Sequence, residues 1–312
     1  LMADVPLGVF LSGGVDSSLL LAKAREHNFQ RLVAVTARFP GHENPELERV
    51  LQIAQHLEIQ PLLVDVDDDF IKSRFDDLVR VLERPPTYLN GWARTRIFEA
   101  IKGEVDVALT GEGADCLFGS DEFVGLSRFN EKQLVLQHVP WPIRRILSRA
   151  FNHIPNRMAQ RLSRQLAFST VDLIRRGAFE AGGKKGEIKM TDLVPELREY
   201  CGNGLPSMYE QFESGNSSSF ISLAQNRSLY TSNRNQLFAY ANHAAQFGIP
   251  VLHPFLSKGM LEIGKTLPDA AKRDAEGAKP ILKKLACRYV PRDLVCGKKY
   301  DFVAPTAGWL EG

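Results

Sequence analysis

The chain has 312 residues, 44% hydrophobic and 24% charged, with 39 basic against 37 acidic side chains and a net charge of +2. That length holds one large domain or two ordinary ones, and the balanced charge argues neither for nor against a nucleic-acid partner. No apolar run reaches the roughly 18 residues of a membrane helix, no basic stretch precedes an apolar one in the opening "LMADVPLG", and the four cysteines, Cys116, Cys201, Cys287 and Cys296, have no CxxC spacing. A soluble, reducing, cytoplasmic setting without membrane partner, disulfide framework or zinc site is the simplest reading.

Residues 7–11, "LGVFL", read as a short buried strand, beginning so early that the chain is expected to be a piece of something longer, cut near Leu1. Residues 16–27 read as a helix with apolar positions Leu19, Leu20, Ala22 and Ala24. "RLVAVTARF" (31–39) is a second strand, rich in β-branched residues. Residues 42–57 are a strongly marked helix. Asn44 is placed at its N-cap, Pro45 at the first helical position, and Leu47, Val50, Leu51, Ala54 and Leu57 on one apolar stripe. "PLLVDVD" (61–67) is a third strand, helices follow around 70–83 and over 92–101, and "VDVALTGEG" (105–113) is a fourth strand running into glycine. This alternation is the pattern of βαβ units and predicts an α/β fold with a doubly wound parallel sheet over residues 1–125. Residues 126–240 read as mostly helical, with loops at 179–190 and 201–207, and 241–312 is expected to return to the sheet.

The stretch "SGGVDSS" (12–18) sits at the carboxyl end of the first strand, where parallel sheets bind ligands. Gly13 and Gly14 let a ligand approach the main chain closely. The free N–H groups of the following helix favour an anion, and Ser12, Ser17 and Ser18 add hydroxyl donors. Neither the Walker pattern nor GxGxxG is present. Asp16 is the unusual element: a carboxylate repels a phosphate unless a cation such as Mg²⁺ stands between them. The plain alternative is a tight strand-to-helix turn with Asp16 as a capping residue.

"LSGGVDSS" (11–18) resembles the PP-loop, SGGxDS, of the ATP pyrophosphatase superfamily, and "DVPLGVFLSGGVDSSLL" (4–20) resembles its asparagine synthetase branch. "LTGEGADCLFGS" (109–120) is similar to that branch's S-G-E-G-x-D-E-L-F-G-G block, and residues 279–310, opening "KPILKKLA", to its C-terminal K-x-[IL]-L-R-x-A block. The three blocks stand in family order over nearly the whole chain. The resemblance implies an adenine nucleotide alpha hydrolase-like fold and two half-reactions: a carboxylate attacks the α-phosphorus of ATP to give an acyl-adenylate, then an amine or ammonia displaces AMP. It implies pyrophosphate on Leu11, Ser12, Gly13, Gly14, Asp16, Ser17 and Ser18, and Mg²⁺ held by Asp16 and Asp115. Gly111 and Gly113 then lie under the nucleotide, Glu112 assists the second half-reaction, and Lys279 faces the phosphates, with Lys298 and Lys299 helping. Adenine is expected near Thr36 and Ala37.

The chain departs from the family at Cys116, which replaces a glutamate, and at Ser120, which replaces a glycine. Cys116 is read as a small buried hydrophobe. The largest departure is residues 232–257, where Arg234 and Pro254-Phe255-Leu256 survive. There Asn233 and Ser257 replace acids and an E-x-R pair is gone. His243 and His253 are read as structural. With "NHAAQFGIPV" (242–251) standing in place of the E-x-R pair, neutral apart from His243, free aspartate is expected to be a poor substrate, and a larger or less charged carboxylate, including a peptide side chain, the better one. The family's N-terminal glutaminase domain has no counterpart here, so ammonia would come from a domain or subunit elsewhere. Four functions compete: ammonia-dependent amide formation; the same adenylation with an intramolecular amine, as in lasso-peptide cyclases and β-lactam synthetases; a non-catalytic nucleotide-binding remnant; and tRNA modification, which wants catalytic cysteines and more positive charge. Six arginines between Arg144 and Arg164 on a helical pattern could bind an acidic peptide, against the plainer reading of a solvated helix face.

Overall fold

The computed structural model describes residues 5–27, 31–82, 90–136, 138–167 and 220–297. The expected loops at 179–190 and 201–207, Cys201, and Lys298 and Lys299 with the rest of the third block lie outside these residues. The chain divides into two compact units, one of Leu1–Phe118, Ser232–Thr266 and Lys279–Gly312, the other of Gly119–Thr231 and Leu267–Ala278.

The first unit alternates strand and helix: β1 (Leu7–Phe10), α1 (Val15–Glu26), β2 (Leu32–Arg38), α2 (Leu47–His56), β3 (Leu62–Asp65), α3 (Asp68–Ser73), α4 (Phe75–Leu82), α5 (Asn90–Ile101), β4 (Val107–Leu109), α6 (Ala114–Phe118) and, after a helix over Arg234–Phe247, β5 (Val251–Leu252). The strands form one sheet of order β3-β2-β1-β4-β5. All pairs are parallel, with Leu7 opposite both Leu32 and Val107, and Leu109 opposite Leu252. The doubly wound parallel sheet is therefore present. Buried on both faces, its strands are continuous apolar runs such as "LGVF".

One face is covered by α5 and the Arg234–Phe247 helix, whose Phe98, Ile97, Trp92 and Tyr240 join Val35, Val64 and Ala108 in one core cluster. Phe10 meets Phe98 edge-on at 5.6 Å between ring centroids. On the other face α1 packs against the helix Pro280–Ala286. Leu19, Leu20, Leu21, Ala22 and Ala24 of α1 are all buried, so this helix is enclosed rather than amphipathic.

The α2 region differs from its sequence reading. The helix starts at Leu47, because the Asn44 amide is taken up by the preceding loop: it accepts from the Phe39 N–H and donates to the carbonyls of Phe39 and His42. Pro45 thus lies ahead of the helix. The buried stripe is Val50, Ile53, Ala54 and Leu57, while Leu51 is 40% exposed. The expected helix near 70–83 is two, α3 and α4, and the two-residue β5 carries no strand signal of its own.

The second unit is helical over Asp121–Leu136, Trp141–Asn152, Arg157–Ala167 and Phe220–Ser228 and adds a short antiparallel ribbon, Arg273–Asp274 with Gly277–Ala278. Arg144 is not part of a solvated basic face. It is buried, with its guanidinium donating to Gln133 Oε1 and the Gln165 carbonyl. Arg145 and Arg149 are exposed.

Candidate active site

The order β3-β2-β1-β4-β5 reverses direction between β1 and β4. In open parallel sheets the crevice beyond the carboxyl ends at such a switch point is where ligands bind. Both glycine-rich loops singled out from the sequence leave the sheet there, "SGGVDSS" after β1 and "TGEGAD" after β4.

The first loop is a sharp turn. The Leu11 N–H still bonds to the Val35 carbonyl at 2.8 Å, continuing the sheet. Gly13 then takes a φ of 71°, and a Cβ there would lie 3.3 Å from Val50 Cγ2, so glycine is required twice over. Gly14, at the N-cap of α1, has no side chain to cap the first-turn N–H groups. The hydroxyls of Ser17 and Ser18 donate back to the Gly14 carbonyl at 3.2 and 2.7 Å, and the Ser12 N–H donates to Ser17 Oγ at 3.2 Å. Ser17 and Ser18 are buried, and Ser12 is half-buried. The two inner hydroxyls hold the turn, while Ser12 and residues 14–16 are its partly exposed side.

The two loops touch. A Cβ on Gly111 would lie 3.1 Å from Asp16 Cβ and 3.3 Å from the Ser17 nitrogen. Onto this junction comes Lys279, at the N-cap of the helix Pro280–Ala286 with the left-handed angles φ 60° and ψ 41°. Its ammonium bonds to Asp16 Oδ2 and, at 2.5 Å, to Asp115 Oδ1. Side-chain exposure rises from 5% at Lys279 through 19% at Asp16 to 54% at Asp115, so the cluster opens to solvent on the Asp115 side. Burial alone would push the Lys279 ammonium down, but the carboxylates of Asp16 and Asp115 outweigh it and hold its pKa above the ordinary lysine value.

This donor set suits a hard cation. Two carboxylates already converge on one positive charge, in the chemistry of Mg²⁺ bound through one or two carboxylates with the remaining ligands from phosphate oxygens and water. No group of three His, Cys, Asp or Glu ligands exists among the described residues, so a metal here depends on oxygens that a polyphosphate brings.

Glu112 lies within the second loop, between Gly111 and Gly113. Burial raises its pKa, with Asp115 and Asp16 adding to the rise and Arg94 and Lys279 opposing it. Its N–H donates to Thr110 Oγ1 at 3.3 Å, and Thr110 Oγ1 lies 2.6 Å from His253 Nδ1. The threonine hydroxyl, accepting from the Glu112 N–H, links the second loop to the His253 ring. Burial, with Arg94 nearby, lowers the His253 pKa to about 4 and keeps the ring neutral. Arg94, in the first turns of α5, lies with its guanidinium 4.1 Å from the centre of the Tyr240 ring and donates to Gln236 Oε1. Burial pushes the Tyr240 hydroxyl up to about 12. His243 is fully buried. Its Nδ1 is 2.6 Å from the Ala239 carbonyl and its Nε2 2.9 Å from Thr95 Oγ1, and burial holds its pKa at about 4, which makes it a structural histidine.

The expected residues thus fall into two groups. Ser12, Asp16, Ser17, Gly111, Asp115 and Lys279 meet at one junction, with Glu112 in their field. Thr36 and Ala37 lie in β2 with their side chains buried in the sheet. Gly113 has a φ of 92°, and a Cβ there would lie 2.4 Å from Leu256 of the surviving Pro-Phe-Leu stretch, so it seats the loop on that stretch. Cys116 is buried in α6. Arg94, Gln236 and Tyr240 are not singled out by the sequence: Gln236 and Tyr240 stand at i and i+4 on one helix, but nothing in the sequence relates them to Arg94.

A parallel sheet with this strand order, a Ser-Gly-Gly turn at its switch point and an acid on each flanking loop define an α/β adenine nucleotide hydrolase-like fold of the PP-loop type. The asparagine synthase family model matches residues 1–312, and the chain belongs to that family. It is 25% identical to asparagine synthetase [glutamine-hydrolyzing] 1 of Bacillus subtilis over 331 residues, covering 99% of this chain and 48% of that protein. It is 29% identical to amidase chyE of Penicillium rubens over 157 residues, 46% of this chain and 23% of that one. Among solved structures, the U34-tRNA thiolase NcsA of Methanococcus maripaludis is similar at 16% identity over 73% of each chain, with a TM-score of 0.31. The chain spans about half the length of the asparagine synthetases it matches.

Proposed function

We propose that the chain catalyses ATP-dependent amide-bond formation, as an AMP-forming carbon–nitrogen ligase working through an acyl-adenylate. The observation that carries this reading is the convergence of Asp16, Asp115 and Lys279 at the sheet's switch point. A substrate carboxylate oxygen bonds to the α-phosphorus as the α–β bridge breaks and pyrophosphate leaves. The amine nitrogen then bonds to the acyl carbon, AMP departs with the former carboxylate oxygen, and the nitrogen loses a proton. Mg²⁺ bound by Asp16 and Asp115 would neutralise polyphosphate charge. The turn 12–18 binds the pyrophosphate end through main-chain N–H groups and Ser12. The Lys279 ammonium, fixed by burial, stabilises charge developing on the α-phosphate. Glu112 takes the proton from the nucleophile, and its raised pKa makes its carboxylate a stronger base for that role.

The nucleophile is ammonia or an amine, and a glutaminase-like domain or subunit is a source in keeping with the printed names of the relatives. The loss of acids at Asn233 and Ser257 favours, as a second reading, an amine within the same substrate molecule. ATP–pyrophosphate exchange over a panel of aspartate, other amino acids and acidic peptides tests the proposal. Mg²⁺-dependent exchange with at least one carboxylate, lost in Asp16→Asn, is expected. Tight nucleotide binding with no exchange across the panel points instead to a non-catalytic nucleotide-binding chain.

A further inference from the structure

The second unit holds a helical hairpin, Trp141–Asn152 packed on Arg157–Ala167, in which polar and apolar side chains are placed against the usual order. Among its described side chains the fully buried ones are Arg144, Ser148, Ser163 and Leu166, three of them polar. They are satisfied inside the unit. Arg144 donates to Gln133 Oε1 and, at 3.1 Å, to the Gln165 carbonyl. Ser163 Oγ donates to the Ser148 carbonyl at 2.8 Å and lies 3.2 Å from Ser148 Oγ. The outward side is apolar. Ile143, Ile146, Leu147 and Ala150 stand at i, i+3, i+4 and i+7, one stripe along the first helix, and all four are exposed, Ile146 to 66%. Met158, on the second helix, is 80% exposed. Single exposed apolar residues are ordinary, but a continuous stripe marks a contact surface.

The charge here is one-sided. Residues 133–171 contain six arginines and no lysine, aspartate or glutamate, in a chain whose net charge is +2. Arg145 and Arg149 are exposed and flank the stripe, and the second helix carries Arg157, Arg161 and Arg164. A second copy of the chain would set like charges against each other across this face. The outward side of a single helix is convex and offers a rigid partner no recess, whereas the edge of a fluid hydrocarbon layer closes round any protruding side chain. Guanidinium forks match phosphate oxygens, which a lipid surface presents directly above its apolar layer. Trp141, 41% exposed with the Arg144 guanidinium 5.1 Å from its ring centre, stands at the head of the stripe. Basic residues flanking an apolar stripe, with a tryptophan at its end, are the pattern of a helix lying in a membrane interface.

We propose that the outward face of the Trp141–Ala167 hairpin docks on an anionic lipid surface. Ile143, Ile146 and Leu147 enter the boundary between headgroups and acyl chains, and the flanking arginines pair with lipid phosphates. The contact is peripheral, and it is independent of the amide-forming reaction.

Co-sedimentation of the full chain with vesicles, in the absence of nucleotide, tests this. Phosphatidylcholine vesicles with about one-third phosphatidylglycerol should bind the chain at least about tenfold more tightly than phosphatidylcholine alone, since each arginine near an anionic surface is worth roughly fivefold. Ile143→Ser with Ile146→Ser, checked for fold by circular dichroism, should weaken that binding about tenfold or more. Arg145→Gln with Arg149→Gln should weaken it about tenfold. In the wild type, about 1 M NaCl should weaken it too, because the screening length falls to about 3 Å. Absence of binding to the anionic vesicles, equal binding to both vesicle types, or undiminished binding in either double variant overturns the proposal. If the serine variant does not fold, Met158→Gln decides: weaker binding supports the docking face and undiminished binding removes it. Two other occupants give their own results. A dimer in sedimentation velocity that the serine variant dissociates, without vesicle binding, makes the face a contact between copies. Saturable binding of polyglutamate without vesicle binding makes it a seat for an acidic protein. Either result overturns the lipid surface.

Discussion

The proposed nucleotide side of this site and its proposed acceptor side are built from different kinds of sequence. On the nucleotide side, consecutive residues leave two neighbouring strands, and a lone lysine completes the cluster: residues 12–18, 111–115 and 279. On the proposed acceptor side, Arg94, Gln236, Tyr240 and His253 come from three separated stretches, which contribute one, two and one side chains. A polyphosphate is bound largely by main chain, which demands glycines and a helix start in a fixed order. An acyl substrate is bound by side chains, which any element reaching the same edge can supply.

Four predictions would break or sharpen this contrast. The largest effect belongs to Asp16→Asn, which strips the nucleotide side of one of its two converging carboxylates; pyrophosphate release should fall by about 10³-fold with the fold retained. Equal Mg²⁺·ATP affinity and turnover in the variant would show that Asp16 is merely part of the turn. Lys279→Ala should keep nucleotide binding and slow adenylation about 10²–10³-fold, read as pyrophosphate exchange. Unchanged exchange removes the ammonium from the chemistry.

A third prediction concerns pH. Burial lowers the folded pKa of His243 to about 4 from an ordinary value of 6.5, so the unfolded chain binds the extra proton between those values. The stability due to the neutral ring is present above about pH 6.5 and is lost as pH falls toward 4, by up to about 3 kcal/mol. Urea midpoints measured from pH 7 to 4 should show the decline, and His243→Gln should reduce it, leaving the share of His253; an unaltered slope would move the effect to other groups. The smallest effect contrasts two replacements that both lack the ammonium. Lys279 has a φ of 60°, so Lys279→Gly should be more stable than Lys279→Ala by about 1 kcal/mol in thermal unfolding.

The legible parts of the molecule are those in which one stretch of chain determines its own outcome. The four long strands alternate with helices in the sequence and in the fold, and the Ser-Gly-Gly turn has the positive φ at Gly13 that its glycines foretell. The start of α2 misleads because the Asn44 amide serves the loop at Phe39 instead of the helix. β5 is two residues long and exists only because Ala108 and Leu109 offer it an edge. Arg144 reads as part of a basic face until Gln133 and Gln165 enclose it. Arg94 reads as any helical arginine, because its meaning depends on Tyr240, 146 positions later.

The pairing of Lys279 with Asp16 and Asp115 also sets an order of events during synthesis. A growing chain that has reached Thr266 already contains all five strands of the sheet and both acids, yet the ammonium that draws them together has not been made. Until then, two like charges face each other at the junction of the loops, and the surface of α1 that meets the helix Pro280–Ala286 lacks that cover. Domains form from the N-terminus as synthesis proceeds, so the nascent sheet waits for its final helices. A chain ending before Lys279 would leave Asp16 and Asp115 at the sheet's switch point without the ammonium that bridges them.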